Sequence, residues 1–519
     1  MNSRHPHPLS LVGAILAGGS LIAGLAIHVR QGHAAPSSAE GVALAAASIS
    51  SAPLPSFEPT PAAPPVEDPG LEAAPVAPPP SVKPSARTPP RPTLDWSRVM
   101  LDDGNYIMVE RDGGRVELTL DPKWQRAVER ALDDTKAPVA AAVVLGLDRG
   151  ASQAKVLALA GRAAKQREAD ALALVSTPWA PAASIFKLVT AAALVDRGVS
   201  ADERVCYHDG VHSVEASNLV SHPKWDDACR SLAFGVAKSQ NAIIARLAHD
   251  KLDAAALERT ARALGFGGKL PTSPALPVEL GASHIDVPRG DALAFARVSA
   301  GFWRSTLSPM HGALLAATIA DGGVTPSVRL VERAVTADGR ERRPDAAPPR
   351  RALSESVARA VGQMMVGTTD YGTARLGFHD RGGRPVLPGV PVAGKTGSLF
   401  RRGDCDAQHL GPHGCEGDFL AYSWFVGFAP ADKPEVAFAV LVGNGEDWHK
   451  KAHQVAADVL QQTLRPAAAS TAVARAHAPA TRPAPKAAPA RVVARATTHA
   501  AHAPLARKAM PHRPQLARR

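Results

Sequence analysis

Proline confines the foldable part of this chain to its middle. Residues 34 to about 92 form an Ala/Pro/Ser stretch with prolines at 59, 61, 64, 65, 69, 75, 78, 79 and 80. A proline lacks the backbone donor and fixes φ, so such a run reads as an extended or disordered linker. From Pro466 onward the chain is mostly Ala, Pro, Arg, His and Thr, without an acidic residue. A segment of that kind cannot bury enough apolar surface to offset its ordering entropy. The expected organisation is therefore a linker over 30–92, one folded domain over 93–464 and a basic Ala/Pro/Arg-rich disordered tail over 465–519.

The tail also explains the charge. The formal net charge is +11. Arg475, Arg482, Lys486, Arg491, Arg495, Arg507, Lys508, Arg513, Arg518 and Arg519 carry nearly all of it, which leaves about +1 for the rest. A nucleic-acid role for the folded part gains no support from that. The tail itself can touch anionic envelope polymers through counterion release, and a solvated extension with no fixed partner is the alternative.

Leu9 to Ile27 is apolar and uncharged, with Arg4 before it and Arg30 after it. A run of that length can cross a bilayer as one helix. A cleaved signal segment is the rival, but it usually has a shorter apolar region, and His33-Ala34-Ala35 is a poor cleavage site. Residues 9–29 are expected to be a single-pass transmembrane anchor. Residues 1–8 would be cytoplasmic, with the folded domain beyond the inner membrane. The four cysteines agree with export. Cys206 and Cys229 flank one polar stretch and Cys405 and Cys415 another, so both pairs are disulfide candidates. Free thiols stay open, and Cys405, His409, His413 and Cys415 could ligate zinc, although exported thiols are usually oxidised.

Within 93–464, Asp121-Pro122 reads as a helix start, with Trp124, Val128 and Leu132 at helical spacing. Val139 to Leu147 reads as a buried strand returning through Lys155 to Leu159. Helices are expected to dominate from Ser184 to about Gly265, and Pro309 to Ala320 is a further apolar helix. Val390 to Ala393 is a strand candidate. Tyr422 to Phe428 and Val436 to Val442 read as a hairpin. Strands at both ends with helices between imply an α+β domain whose terminal segments share one antiparallel sheet.

Three short strings carry the chemistry. In Ser184-Ile-Phe-Lys187 the hydroxyl and the amine share one helix face. Serine needs an adjacent base to act as a nucleophile. The run Leu188 to Val195 is apolar almost all round, so the helix should be buried, and a buried lysine needs a partner or a task. Taken alone, the string is common on exposed helices. Ser239-Gln240-Asn241 alone reads as a helix cap, and Lys395-Thr396-Gly397-Ser398 as a surface charge after a strand. Together, in this order and spacing, they match the S-x-x-K, S-x-N and K-T-G set.

On these motifs, residues 115 to 460 resemble the penicillin-binding protein transpeptidase domain. Leu118 to Pro122 with Gln125 and Glu129 is similar to that family's opening segment, and Val143 to Leu159 to its first hairpin. Met365 to Thr369 with Gly372 to Ala374 resembles the segment before the K-T-G strand, and Trp424 to Pro430 the strand after it. The resemblance implies an antiparallel sheet of the five-stranded type flanked by helices, with an all-helical subdomain. It implies Ser184 as nucleophile, Lys187 as its base, and Ser239 with Lys395 as a proton relay to the leaving amine. Asn241 would hold Lys187 and a substrate amide. Thr396 and Ser398 would bind the substrate carboxylate, Gly397 would let substrate backbone approach, and the N–H groups of Ser184 and Ser398 would form an oxyanion hole. The implied partners are peptidoglycan stem peptides, β-lactams as covalent inhibitors and a separate glycosyltransferase, since no such domain is seen before residue 93. No cofactor or metal is implied.

The implied activity is D,D-transpeptidation. A D,D-carboxypeptidase or other serine acyl-hydrolase differs only in using water as the acceptor. No E-x-x-L-N string lies between Asn241 and Lys395 to supply the deacylating base of a class A β-lactamase. A non-catalytic β-lactam or wall-peptide sensor or scaffold is the rival of another class.

Overall fold

Asp121 caps the first helix of the domain as its chemistry dictates. In the computed structural model its carboxylate accepts from the Lys123 and Trp124 backbone N–H groups, and Pro122 opens α1 (Pro122–Asp133). The structure describes residues 94–163, 171–268, 270, 273–402, 405–406 and 419–464. The anchor, the linker and the tail expected from the sequence lie outside those residues. No helix among the described residues is long and apolar enough to cross a membrane.

Beyond α1 the chain forms β1 (Val139–Asp148) and β2 (Gln153–Ala163) as an antiparallel pair. The helical middle contains α2 (Lys187–Asp196), α3 (Asn241–Lys251), α4 (Pro309–Ala320) and α5 (Glu355–Asp370). The chain then returns to the sheet as β3 (Ala393–Arg402), β4 (Phe419–Ala429) and β5 (Val436–Asn444), and closes with α6 (Ala452–Thr463). The antiparallel sheet runs β2-β1-β5-β4-β3. That is the five-stranded core expected. A three-residue strand, Ser327–Arg329, adds parallel to β2, and the short Cys405–Asp406 strand adds to β3, so the full sheet has seven strands.

The sheet is covered on both faces, and β1 shows why. Val139, Ala141, Val143 and Leu145 join one apolar cluster with α2 and α4. Ala140, Ala142 and Val144 join another with α1 and α6. A strand with a side-chain period of two that is buried on both sides must be apolar throughout. α4 is buried along its whole length and packs under the sheet. Ser308 caps it and Pro309 opens it, and its bounds are those expected from the apolar run.

One expectation needs correction. Val390 to Ala393 is not a strand of its own. β3 begins at Ala393 and carries the whole Lys395–Ser398 string within it, paired residue for residue with β4 from Ala393↔Phe428 to Arg402↔Phe419. Helices dominate from Ser184 to Gly265 as expected, with Arg204–Tyr207 and Ala228–Ser231 forming a two-stranded ladder among them. A second sheet was not anticipated. Val99–Asp102, Asn105–Val109, Arg115–Leu118, Val331–Val335 and Glu341–Arg342 form a five-stranded antiparallel layer.

Candidate active site

Ser184 sits in a 3₁₀ turn, Ala183–Phe186, that runs directly into α2. The turn starts with a left-handed non-glycine residue, Ala183 at φ +49°, a conformation that tertiary packing must impose. Gly301 lies against that turn. A Cβ added there would come 2.3 Å from the Ala183 carbonyl oxygen, and Gly301 itself has φ +86°. Only glycine meets both conditions.

Lys187 is fully buried. Its Nζ lies 2.7 Å from Ser184 Oγ, 2.7 Å from Asn241 Oδ1 and 2.6 Å from the Ala300 carbonyl oxygen. Asn241 Nδ2 donates to the Val211 carbonyl at 2.8 Å. A carbonyl can only accept, so that bond fixes the amide with Oδ1 toward Lys187. A neutral amine has two N–H donors and one lone pair. Ala300 O and Asn241 Oδ1 take the two donors, and the lone pair is left for the Ser184 hydroxyl. The arrangement therefore makes Lys187 a proton acceptor toward Ser184 whenever it is uncharged.

Burial first, and then the charge of Lys395, hold Lys187 well below the usual lysine range. Lys395 is itself fully buried on β3, and burial pushes it down to about 7. Its Nζ donates to the Thr396 carbonyl at 2.9 Å. Two lysines thus share one dry region, one biased to be neutral and the other titrating near neutrality.

Ser184, Ser239, Asn241, Thr396 and Ser398 line one cleft of about 550 Å³. Ser239 is not a helix cap, since Gln240 occupies the cap position of α3, and Ser239 is held at φ +55°. Thr396 lies 2.5 Å from Thr373 through their hydroxyl oxygens. The Lys395 amine lies beneath the cleft rather than in its lining. Gly397 is tight for a reason the sequence did not indicate. A Cβ there would lie 3.2 Å from Ile185 Cγ1 and from Trp424 Cβ, so the glycine lets β3 pack on the Ser184 turn. The Trp424 indole N–H donates to the Pro181 carbonyl at 2.9 Å and ties β4 to the segment before Ser184. A separate cavity of about 470 Å³, bordered by Arg149, Glu355 and Phe428, has no serine, threonine, cysteine or lysine in its lining.

Sequence reasoning missed Val211, Ala300 and Thr373. The first two act through backbone carbonyls, which no side-chain pattern signals. Thr373 lay in a segment noted only for its resemblance. A disulfide joins Cys206 to Cys229, which face each other across the short ladder. Cys405 lies on its short strand, while Cys415, His409 and His413 fall outside the described residues, so their pairing and the zinc alternative do too.

The sequence and the fold have counterparts among known proteins. The model of the penicillin binding protein transpeptidase domain matches residues 148–464. The chain belongs to the penicillin-binding protein transpeptidase family. Among curated relatives, the peptidoglycan D,D-transpeptidase PbpA of Mycobacterium tuberculosis is 31% identical over 280 residues, 51% of this chain and 50% of the relative. Penicillin-binding protein PbpB of Mycolicibacterium smegmatis is 25% identical over 383 residues, covering 68% of this chain and 55% of the relative. The chain thus spans about half the length of the curated relatives it matches. Among solved structures, the imipenem acyl-enzyme complex of penicillin-binding protein A from M. tuberculosis aligns with a TM-score of 0.52 at 25% identity, over 68% of this chain and 80% of that one. In this transpeptidase-family domain the S-x-x-K, S-x-N and K-T-G strings are those that Ser184, Ser239 and Lys395 begin or carry.

Proposed function

We propose that this protein is a serine D,D-transpeptidase that cross-links peptidoglycan stem peptides through an acyl-enzyme on Ser184. One observation carries the reading: a fully buried Lys187 amine 2.7 Å from Ser184 Oγ, with its two donors already committed to carbonyl acceptors.

In the first half-reaction Ser184 Oγ attacks the carbonyl of the penultimate D-alanine, and its proton passes to Lys187. Oxyanion charge develops within reach of the Ser184 and Ser398 backbone N–H groups, where fixed donors in a dry site are most effective. The C–N bond then breaks. The departing D-alanine amine takes a proton through Ser239, with Lys395 supporting that relay. Thr396 and Ser398 hydroxyls, beside the Lys395 charge, hold the terminal carboxylate. In the second half-reaction an acceptor amine attacks the ester carbonyl and gives up a proton, a new peptide bond forms as the C–Oγ bond breaks, and Ser184 Oγ leaves with the proton that Lys187 took from it. A β-lactam presents its strained amide to the same serine and forms a stable ester.

The wider setting follows from the same reading. An anchor at residues 9–29 would tether the domain on the extracytoplasmic side of the inner membrane. A separate glycosyltransferase would supply glycan strands, and the basic tail would lie against anionic envelope polymers.

The test is product analysis of purified full-length protein with pentapeptide-bearing muropeptides. Cross-linked dimers are expected, and they should vanish in Ser184→Ala. Exclusive release of D-alanine with only trimmed tetrapeptides would replace this reading with a carboxypeptidase.

A further inference from the structure

Asn241 works only if its amide faces the right way, and what sets that direction lies outside the cleft. The Val211 carbonyl that accepts from Asn241 Nδ2 belongs to the segment between Cys206 and Cys229. That segment has little regular structure, a ladder of four pairs at its base and a single helical turn. Its path is fixed by one side chain of α3, the helix that Asn241 begins. Arg246 is almost fully buried and donates to the backbone carbonyls of Cys206, Asn218 (2.8 Å) and Val220 (2.8 Å).

The guanidinium is held in turn by Asp226. Arg246 Nη1 lies 2.7 Å from Asp226 Oδ2, and both side chains are 4% exposed. The same carboxylate accepts from the His222 backbone N–H at 3.0 Å and meets His208 Nδ1 at 2.7 Å. Asn218 Nδ2 donates to the His208 carbonyl at 3.1 Å. Bonds thus reach the segment at 206, 208, 218, 220, 222 and 226, on both sides of Val211. Gly210 completes the seating. It has φ +68°, and a Cβ there would come 2.5 Å from Ala242 Cβ, so the backbone beside Val211 lies directly on the start of α3.

A buried ion pair that binds three carbonyls is costly to assemble unless every donor is satisfied, and its best-attested use is to specify one arrangement. We propose that Asp226 and Arg246 are positioning residues for acyl transfer: by seating the 206–229 segment on α3 they hold the Val211 carbonyl against Asn241, and so keep the Lys187 lone pair aimed at Ser184. The inference rests on the proposed acyl transfer at Ser184. It adds that this reaction depends on a cluster that touches neither substrate nor nucleophile.

The test is a mutant cycle on the full-length chain, read as the rate constant for acylation by a fluorescent penicillin at saturating concentration. Asp226→Asn removes the charge that holds Arg246, and Gly210→Ala pushes the Val211 segment off α3 while leaving the ion pair intact. Each should slow acylation on the order of 10- to 100-fold, as expected for a misplaced reacting group, with the non-covalent binding constant little changed. In an Asn241→Ala background the same substitutions should cost less than about twofold, because the amide they orient is gone. Thermal melts confirm that each variant is folded at the assay temperature. If Asp226→Asn does not fold, Gly210→Ala carries the cycle. An equal loss in both backgrounds, or no loss with Asn241 present, overturns the proposal. Failure of the wild-type protein to acylate at all overturns the acyl-transfer reading instead.

Discussion

Asn241 meets Lys187 through its oxygen and Val211 through its nitrogen, at 2.7 and 2.8 Å. That orientation assigns the proton chemistry, since it leaves Ser184 as the one partner of Lys187 able to give up a proton. Asn241→Asp keeps the size, adds a charge and removes the donor to Val211. A carboxylate at that distance favours the ammonium and should raise the Lys187 pKa toward the ordinary lysine range. Acylation at neutral pH should fall on the order of 100-fold as the base is lost, and the rate should recover as pH rises. The pH profile of acylation checks this: the lost Val211 bond adds a constant factor, and a profile with no recovery toward high pH would refute the charge argument.

Lys395 gives the opposite limb. Burial holds it at about 7, so its charge is present below that pH and lost above it. If the charge binds the carboxylate of penicillin or substrate, the second-order acylation constant should decline as pH rises through about 7. In Lys395→Arg the guanidinium stays charged throughout, and that decline should disappear. Persistence of the limb in the arginine variant would assign it to another group.

The same lysine predicts how stability responds to pH. Its folded value of about 7 lies below the ordinary 10.5, so the unfolded chain holds the proton more tightly in the window between them. The cost of burying the cation is fully present below about 7 and is relieved as pH rises toward 10.5. The relief is on the order of 5 kcal/mol from this group. Urea midpoints of wild type should therefore rise across the window more than those of Lys395→Met. Equal slopes would contradict the burial argument.

Gly301→Ala should be among the most damaging single-methyl changes. Left-handed backbone disfavours alanine, and its Cβ would collide with the Ala183 carbonyl oxygen. A loss of about 2 kcal/mol or more is expected, along with slower acylation, because the displaced turn carries Ser184. Denaturant titration and labelling rates together check this. A variant with unchanged stability would show that the turn can relax.

The parts legible in the sequence were those written in local chemistry. Asp121-Pro122 and the apolar run from Pro309 to Ala320 announced their helices, and the apolar run at Val139 announced a buried strand. The three strings of the candidate site were legible only jointly, because each is ordinary alone. Misreadings came where long-range pairing overrides local pattern. The stretch from Lys395 to Ser398 reads as polar, so the apolar residues from Val390 drew the strand assignment, yet pairing with β4 extends the strand to Arg402. The layer joining Arg115–Leu118 to Val331–Val335 spans more than two hundred residues of chain and leaves no local mark. Val211 and Ala300 contribute peptide carbonyls, and any residue type provides one.

The central claim, that Lys187 activates Ser184 for acyl transfer, is tested most directly by intact and peptide mass spectrometry after exposure to penicillin. Wild-type protein should gain one penicillin mass, located on the peptide containing Ser184. The adduct should be absent in Ser184→Ala and form at least about a hundredfold more slowly in Lys187→Met, as expected when a nucleophile loses its base. An adduct on another residue, or undiminished acylation in Lys187→Met, would contradict the account.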